Sequence, residues 1–312
     1  MLPTDGPTAL PTQDPDVPPL FSIDCGCDAC TTQVLQAFAG PFRCGDRIQY
    51  VIDNANTILP QLANPTVHDA CTFIAKEQPV CEPCACPTLY GVEWNGNLVA
   101  IDRRTGQVTQ NLGFVGIDRI NGAASDSSGR ALVARYLLDS GGDIYVIDPE
   151  LAAAAHLVAL SGISPGYAPS ALAIDAQDNV YVLLTPTMAH IGGLIDTLAV
   201  VNMNTGIVTE IGPTGAKYLQ GMAFDTSGVL YGYNNRPGQL GTFDLSTGAF
   251  TIVPGTSGLF SNIQALEFDP SANALLGAGG NQICEFDTAT GTATCVGGGP
   301  ESFMDVRGLF FG

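Results

Sequence analysis

Four aspartates recur in one setting. Asp126, Asp175, Asp225 and Asp269 each close a short run: Ala123-Ala124-Ser125, Ala173-Ile174, Ala223-Phe224 and Glu267-Phe268. Carboxylates repeated around an axis are oxygen ligands of the kind calcium takes, and calcium is the one cofactor the chain suggests. In the setting Asp-x-Ser-Gly, however, the same side chain caps the backbone of the turn that follows. Its return with the turn in each repeat favours that second role. Other chemistry is sparse. Gly162-Ile163-Ser164-Pro165-Gly166 has the spacing of a nucleophile elbow, but Pro165 has no N–H to offer an oxyanion. His68, His156 and His190 have no carboxylate or serine at a suggestive distance along the chain. Trp94, the single tryptophan, tips a hairpin at Asn95-Gly96, where it could stack a sugar or pack in a core. The sequence holds no calcium loop, phosphate loop or dinucleotide fingerprint. These residues predict no catalytic set, no metal centre, and a chain that is not an enzyme.

The elements that position these residues are short strands. Tyr218–Gly255 reads as four of them, separated by Asp225-Thr226-Ser227-Gly228, Asn234–Gly238 and Ser246-Thr247-Gly248. The third-strand ending recurs as Ile101-Asp102…Thr105-Gly106, Ile147-Asp148, Val201-Asn202…Thr205-Gly206, Phe243-Asp244…Thr247-Gly248 and Phe286-Asp287…Thr290-Gly291. Its Asp or Asn positions are 46, 54, 42 and 43 residues apart. A four-stranded unit with such a period indicates a β-propeller, because one blade cannot bury both faces of its sheet alone. Val306–Gly312 matches the unit's first strand and then stops, whereas the first repeat begins at its second strand, Leu89-Tyr90-Gly91. The last seven residues therefore complete the first blade and remove an open edge. The count is five blades, or six if the long third repeat holds another. The fold class is mainly β: a propeller over 88–312, a disulfide-rich helical module over 20–87, and an extended Pro/Thr-rich arm over 1–19.

Eight of the ten cysteines, Cys25, Cys27, Cys30, Cys44, Cys71, Cys81, Cys84 and Cys86, fall in the module. Helix candidates there are Thr31–Phe38, Arg47–Ile58 and Val67–Ala75. So few large apolar residues cannot hold a core unaided, and an even cysteine count indicates disulfides and an oxidising compartment. The pairing stays open at this point. Cys27-x-x-Cys30 and Cys81-x-x-Cys84 also have zinc-ligand spacing, but zinc would leave four cysteines unexplained. Cys284 and Cys295 flank a hairpin turn symmetrically and face each other. In the arm, Pro3-Thr4, Pro7-Thr8, Pro11-Thr12 and Pro15-Asp16 recur every four residues, which favours polyproline II and makes Thr4, Thr8 and Thr12 candidates for O-glycosylation. Asn64-Pro65-Thr66 has proline where an N-glycosylation site forbids it.

The formal net charge is −19, with Lys76 and Lys217 the only lysines. That excludes the basic face that nucleic acid or an anionic membrane needs. No stretch has the length of a membrane-spanning helix, and Met1-Leu2-Pro3 does not open a signal peptide, so the chain reads as a mature or truncated one. Only 13% of residues are charged, which fits a surface partly covered by another subunit or by glycans.

The run Cys25-Gly26-Cys27-Asp28-x-Cys30-Thr31, Cys44-Gly45-Asp46-Arg47-Ile48, Ala70-Cys71 and Cys81-x-Pro83-Cys84 resembles a cysteine-rich module of secreted and cell-surface proteins of diatoms and related algae. The resemblance covers about residues 24–87 and implies an extracellular site. The propeller resembles the broad Leu-Tyr-Gly…Ile-Asp-x-x-Thr-Gly class, whose members bind, build or catalyse. The expectation is a non-catalytic extracellular structural or adhesive protein. It would self-assemble into a fibre or surface layer through the arm and module and carry O-linked glycans. The alternatives are a carbohydrate- or ligand-binding propeller and, third, a calcium-dependent propeller hydrolase. The third would need non-repeating polar residues converging at the axis.

Overall fold

The computed structural model describes residues 23–27, 29–60, 65, 67–137, 141–187, 195–255, 262–298 and 305–312. The arm with Thr4, Thr8 and Thr12, and also Asp28, Thr66 and His190, lie outside the described residues. The chain divides into two compact units, Met1–Cys86 and Pro87–Gly312.

In the first unit, α1 (Thr32–Gln36) starts where Thr31 Oγ1 accepts from the Val34 N–H, a standard N-cap. A two-residue hairpin follows, β1 (Phe38–Ala39) on β2 (Phe42–Arg43). The helix α2 (Cys44–Asp53) begins three residues before the sequence suggests, because Asp46 accepts from the Arg43 N–H and caps it there. It breaks at Asn54, leaving α3 (Ala55–Ile58) as a separate turn. The last helix is α4 (Val67–Glu77), followed by a 3-10 turn over Pro79–Cys84. Disulfides join Cys25–Cys71, Cys27–Cys86, Cys30–Cys84 and Cys44–Cys81. All eight are bridged, so no thiolate remains for zinc. Around them the large buried apolar side chains among the described residues are Leu35, Ile48, Val51, Leu59 and Ile74, too little apolar surface for a unit this size without staples.

The second unit is a five-bladed propeller. Blade one takes β3 (Leu89–Glu93), β4 (Asn97–Asp102) and β5 (Gln107–Phe114). Blade two is β6 (Ile120–Ser125), β7 (Ala131–Leu137), β8 (Gly141–Asp148) and β9 (Ala153–Ala159). Blade three is β10 (Tyr167–Ile174), β11 (Val180–Pro186), β12 (Thr197–Val201) and β13 (Val208–Pro213). Blade four is β14 (Leu219–Phe224), β15 (Leu230–Asn234), β16 (Gln239–Phe243) and β17 (Phe250–Ile252). Blade five is β18 (Ala265–Asp269), β19 (Ala274–Gly279), β20 (Gln282–Phe286) and β21 (Ala293–Gly297). The C-terminal β22 (Val306–Phe311) pairs with β3 as the inner strand of blade one. The extra length of the third repeat lies between β11 and β12, within one blade. Cys284 and Cys295 face each other in register across β20 and β21 and are bonded.

The core lies between blades. Five apolar clusters each draw on two consecutive blades, as with Val92, Leu98, Ile120, Val133 and Phe310 between blades one and two. The repeated Thr-Gly has a packing reason. Gly106 (φ +66°) and Gly206 (φ +73°) lie against the outer-strand carbonyls of Val296 and Ala159 in the preceding blades. A Cβ there would meet those oxygens, and the left-handed φ is strained for any other residue. Around the axis each inner strand packs on the next, and β18 meets β22 to close the circle.

Candidate functional site

The propeller has two ends, and its polar residues behave differently at each. The sequence-predicted aspartates lie at the end where the inner strands finish. Asp126 Oδ1 accepts from the Ser128 N–H, the Ser128 hydroxyl and the Arg130 N–H. Asp175 Oδ1 takes the Gln177 and Asn179 N–H groups, and Asp225 Oδ1 takes the Ser227 N–H and hydroxyl and the Val229 N–H. Asp269 accepts from Ser271 in the same way and also pairs with Arg103 of blade one. Burial works against ionisation of Asp126, but the bonds from Ser128 and Arg130 outweigh it and hold the carboxyl below its usual range. These carboxylates cap turns, each in its own blade.

The other end, where the inner strands begin, carries a set of residues that the aspartate repeat obscures. Four inner strands open on the same short phrase: Arg119-Ile120-Asn121-Gly122, Tyr218-Leu219-Gln220-Gly221, Asn262-Ile263-Gln264-Ala265 and Asp305-Val306-Arg307-Gly308. Blade three has Ala168-Pro169-Ser170-Ala171 in its place. The third residue of each phrase is polar, and together they form a ring: Asn121, Ser170, Gln220, Gln264 and Arg307.

Local backbone structure fixes this ring. In blades one to four the strand pairing slips at the phrase, between Val306 and Gly308, Ile120 and Ala123, Pro169 and Ala171, and Gln220 and Met222. Such bulges re-aim a side chain at the rim of a sheet. The first residue of the phrase has positive φ in four blades: Arg119 (57°), Tyr218 (62°), Asn262 (141°) and Asp305 (112°). Non-glycine residues held there store strain that cooperative surroundings must offset. The fourth residue is small because the strands touch. A Cβ on Gly221 would be 2.8 Å from the Ala265 carbonyl carbon, and one on Gly308 would be 2.5 Å from the Ala123 Cβ.

A second tier stands around the ring. The N–H groups of Trp94, Tyr136 and Asn235 donate to the carbonyls of Asp305, Arg119 and Tyr218, and the N–H of Thr187 donates to Gly166. Trp94, Tyr136 and Asn235 occupy one position in blades one, two and four, at or just past the end of the second strand, and Thr187 lies two residues beyond that position in blade three. Side chains then link the blades. Asn235 Nδ2 donates to Gln220 Oε1 (2.8 Å) and to the Ile263 carbonyl (2.8 Å). Gln264 Nε2 donates to Asp305 Oδ1 (3.2 Å), which also receives Arg307 Nε (2.7 Å). The Arg307 guanidinium lies 5.2 Å over the Trp94 ring, and Trp94 is 5.7 Å from Tyr136.

Several polar groups of this end are left over. Asn121 is 4% exposed, yet its Oδ1 has no partner among the described residues, and Asn235 Oδ1 has none among them either. Native interiors rarely leave such atoms unpaired, and each one calls for an explanation. Among the described residues Asp305 is matched by Arg307, and Asp118 by Arg135 at 2.7 Å, whose hydrogen bond holds the Asp118 carboxyl below its usual range, while Arg236 lies over the Tyr218 ring. Two further carboxyls stand nearby in the fold. Asp196, 1% exposed, accepts from Thr185 Oγ1 and the Leu219 N–H between blades three and four, and burial pushes it up to about 6. Glu267 sits midway along β18, half-buried, and burial raises it well above the carboxylate range. Its equivalents in other blades are Phe310, Ala124, Ala173 and Ala223.

Of the remaining sequence candidates, Ser164 bonds Glu210 and belongs to no nucleophilic set. His68 Nδ1 contacts the Cys25 carbonyl in the module. His156 pairs with Asp143 on an outer strand at 3.4 Å. Trp94 is the one singled-out residue that joins the mouth.

No family model matches the chain, and no curated protein matches it. Among solved structures the propeller is similar to a chain of a nidogen/laminin complex, at 12% identity over 72% of this chain and 98% of that one, with a TM-score of 0.47. It is also similar to a gluconolactonase of Xanthomonas campestris, at 15% identity over 70% and 78% with a TM-score of 0.45. A third is the calcium-binding protein regucalcin of Agrobacterium tumefaciens, at 13% identity over 70% and 77% with a TM-score of 0.44. These likenesses concern the fold. One expectation is corrected. The sequence alone points away from an enzyme, because its repeating aspartates supply nothing convergent. The mouth does gather non-repeating polar groups, so that exclusion does not hold.

Proposed function

We propose that the propeller is a ligand-binding module that holds a small polar molecule at the mouth of its axis, in a chain that works in an oxidising, extracellular setting. The observation that carries this is the ring itself. Asn121, Ser170, Gln220, Gln264 and Arg307 take one position in five blades, with differing side chains and a buried oxygen on Asn121 that has no partner among the described residues. Residues selected only for packing would repeat an apolar type, and convergent polar groups are the mark of a binding site. The fibre reading rests on the spacing of the arm, and the described residues lend it no support. The five disulfides favour the extracellular setting. The test is a thermal-shift screen of small polar molecules against the full chain and a Gln220→Ala/Gln264→Ala variant. A shift seen with the native ring and lost in the variant supports the reading; equal shifts in both overturn it.

A calcium-dependent hydrolase is the second reading, favoured by Glu267. Burial raises its carboxyl, so it keeps its proton to higher pH than a free glutamate does, as a general acid needs. Calcium itself fits less well. Asn121 Oδ1 and Asn235 Oδ1 are open amide oxygens of the kind it takes, but the mouth carboxylates of Asp305 and Asp118 are engaged by guanidinium groups. Calcium titration followed by tryptophan fluorescence, which Trp94 alone supplies, separates the two readings.

A further inference from the structure

We propose that the ligand at the mouth is an uncharged carbohydrate; this rests on the ring being a binding site and names what it takes. Three features of the mouth point the same way. The first is its functional groups. Asn121, Gln220, Gln264 and Asn235 are primary amides. Asn235 Nδ2 is spent on Gln220 Oε1 and the Ile263 carbonyl, Gln264 Nε2 on Asn262 and Asp305, and the Ser170 and Thr187 hydroxyls on the carbonyls of Leu183 and Gly166, which leaves the Gln220 amide N–H groups as donors and the Asn121 and Asn235 oxygens as acceptors. A sugar hydroxyl both gives and takes a hydrogen bond, so an amide beside a hydroxyl answers it in full. Two of the amide oxygens, on Asn121 and Asn235, have no partner among the described residues to give up before a ligand hydroxyl reaches them.

The second feature is charge. The Arg307 guanidinium meets both oxygens of Asp305, at 2.7 and 3.3 Å, and Arg135 meets Asp118. An anionic ligand would have to compete with Asp305 for Arg307 and would approach a chain of net charge −19. A cationic ligand would find both carboxylates occupied. A neutral ligand pays neither cost.

The third feature is the aromatic wall. Trp94 and Tyr136 stand together at the rim in blades one and two, and the Tyr136 hydroxyl has no partner among the described residues. Flat rings with a polar tip suit the apolar C–H face and the hydroxyl edge of a pyranose.

The experiment uses the full chain, expressed with its disulfides formed. It is applied to a glycan array spanning neutral, uronic-acid, sulfated and amino-sugar glycans, and hits are titrated by calorimetry. Binding confined to neutral glycans is expected, weakened at least tenfold in Asn121→Leu and in Trp94→Ala. Asn121→Leu is the sharper variant. It removes an oxygen that the fold leaves unpaired, so its unfolding midpoint should stay level or rise while affinity falls. A purely structural Asn121 would instead lose stability on the change. Preferential binding of charged glycans, or no glycan binding at all, overturns the carbohydrate assignment. The ring itself is judged separately, by whether the thermal-shift screen finds any ligand whose effect needs Gln220 and Gln264.

Discussion

The two ends of the propeller use polar residues in opposite ways. At the end where inner strands finish, Asp126, Asp175, Asp225 and Asp269 are one residue type in one role. Their oxygens are filled by the amides and hydroxyls of the turn each one starts. At the mouth the backbone phrase repeats while the side chain changes, from Asn121 to Ser170, Gln220, Gln264 and Arg307, and two amide oxygens have no partner among the described residues. Sameness with satisfaction belongs to architecture. A conserved frame with varied, unsatisfied contents belongs to recognition, because a ligand has no reason to share the fivefold repeat of its host.

If that contrast is right, damage at the far end should cost stability and leave binding alone. The largest effect is expected at the blade-to-blade contact of Gly206, which has a left-handed φ and faces the Ala159 carbonyl. Gly206→Ala combines backbone strain with overpacking, about 4 kcal/mol together. Urea unfolding followed by Trp94 fluorescence reads this loss. Ligand affinity in the folded fraction should not move, and a parallel loss of affinity would show that the two ends are not independent.

Next in size is Asp196, which holds the edge between blades three and four through Thr185 and Leu219. Burial raises its carboxyl from 3.8 to about 6. Below pH 3.8 it is protonated in folded and unfolded chains alike, so its stabilising share is whole. As pH climbs through about 6 that share is lost, up to about 3 kcal/mol. Asp196→Asn keeps one donor and one acceptor and should flatten this part of the pH–stability curve. A variant curve that follows the native one would remove Asp196 as the cause.

A smaller loss is expected from a single turn cap. Asp225→Ala removes three hydrogen bonds to one oxygen from an exposed turn, which is worth about 1–2 kcal/mol. Denaturation midpoints measure it, and mouth binding should again be unchanged.

Much of this architecture is legible in the sequence. The period of Asp102, Asp148, Asn202, Asp244 and Asp287 marks the blades, and Val306–Gly312 announces its own closure by matching a first strand. The symmetric Cys284 and Cys295 give their own pairing. The other four bridges do not, because closely spaced cysteines leave many topologies open until the helices α1, α2 and α4 bring Cys30 to Cys84 and Cys44 to Cys81. The mouth is hidden for a different reason. Identity is what the eye tracks, and the ring repeats a slot, not a residue. The signal was present as a bulky aliphatic, a polar residue and then Gly or Ala before four of the five apolar strands, with Pro169 in the aliphatic place in blade three. Only the bulge and the close strand contact show why that order recurs. Asn235 and Tyr136 had no such signal, since their place is set by a backbone bond to a distant carbonyl.

Glu267 lies between the two ends and tests the contrast most finely. It is neither a turn cap nor a ring member, and no hydrogen-bond partner for it exists among the described residues. Burial alone lifts its carboxyl well above 4.5. In acid both folded and unfolded chains carry the proton, and the residue is neutral to stability. As pH rises past the ordinary glutamate range, the unfolded chain releases its proton first. The folded chain keeps it, so stability declines until the buried carboxyl also ionises. Glu267→Gln has no proton to lose and should be the more stable protein at neutral and alkaline pH, with the difference vanishing in acid. Unfolding free energies of the two proteins across that range decide the matter. If the curves run parallel, Glu267 is satisfied after all and belongs with the aspartates of the far end. If they diverge, the axis holds an unsatisfied carboxyl beneath an unsatisfied ring, and the hydrolase reading gains the acid it requires.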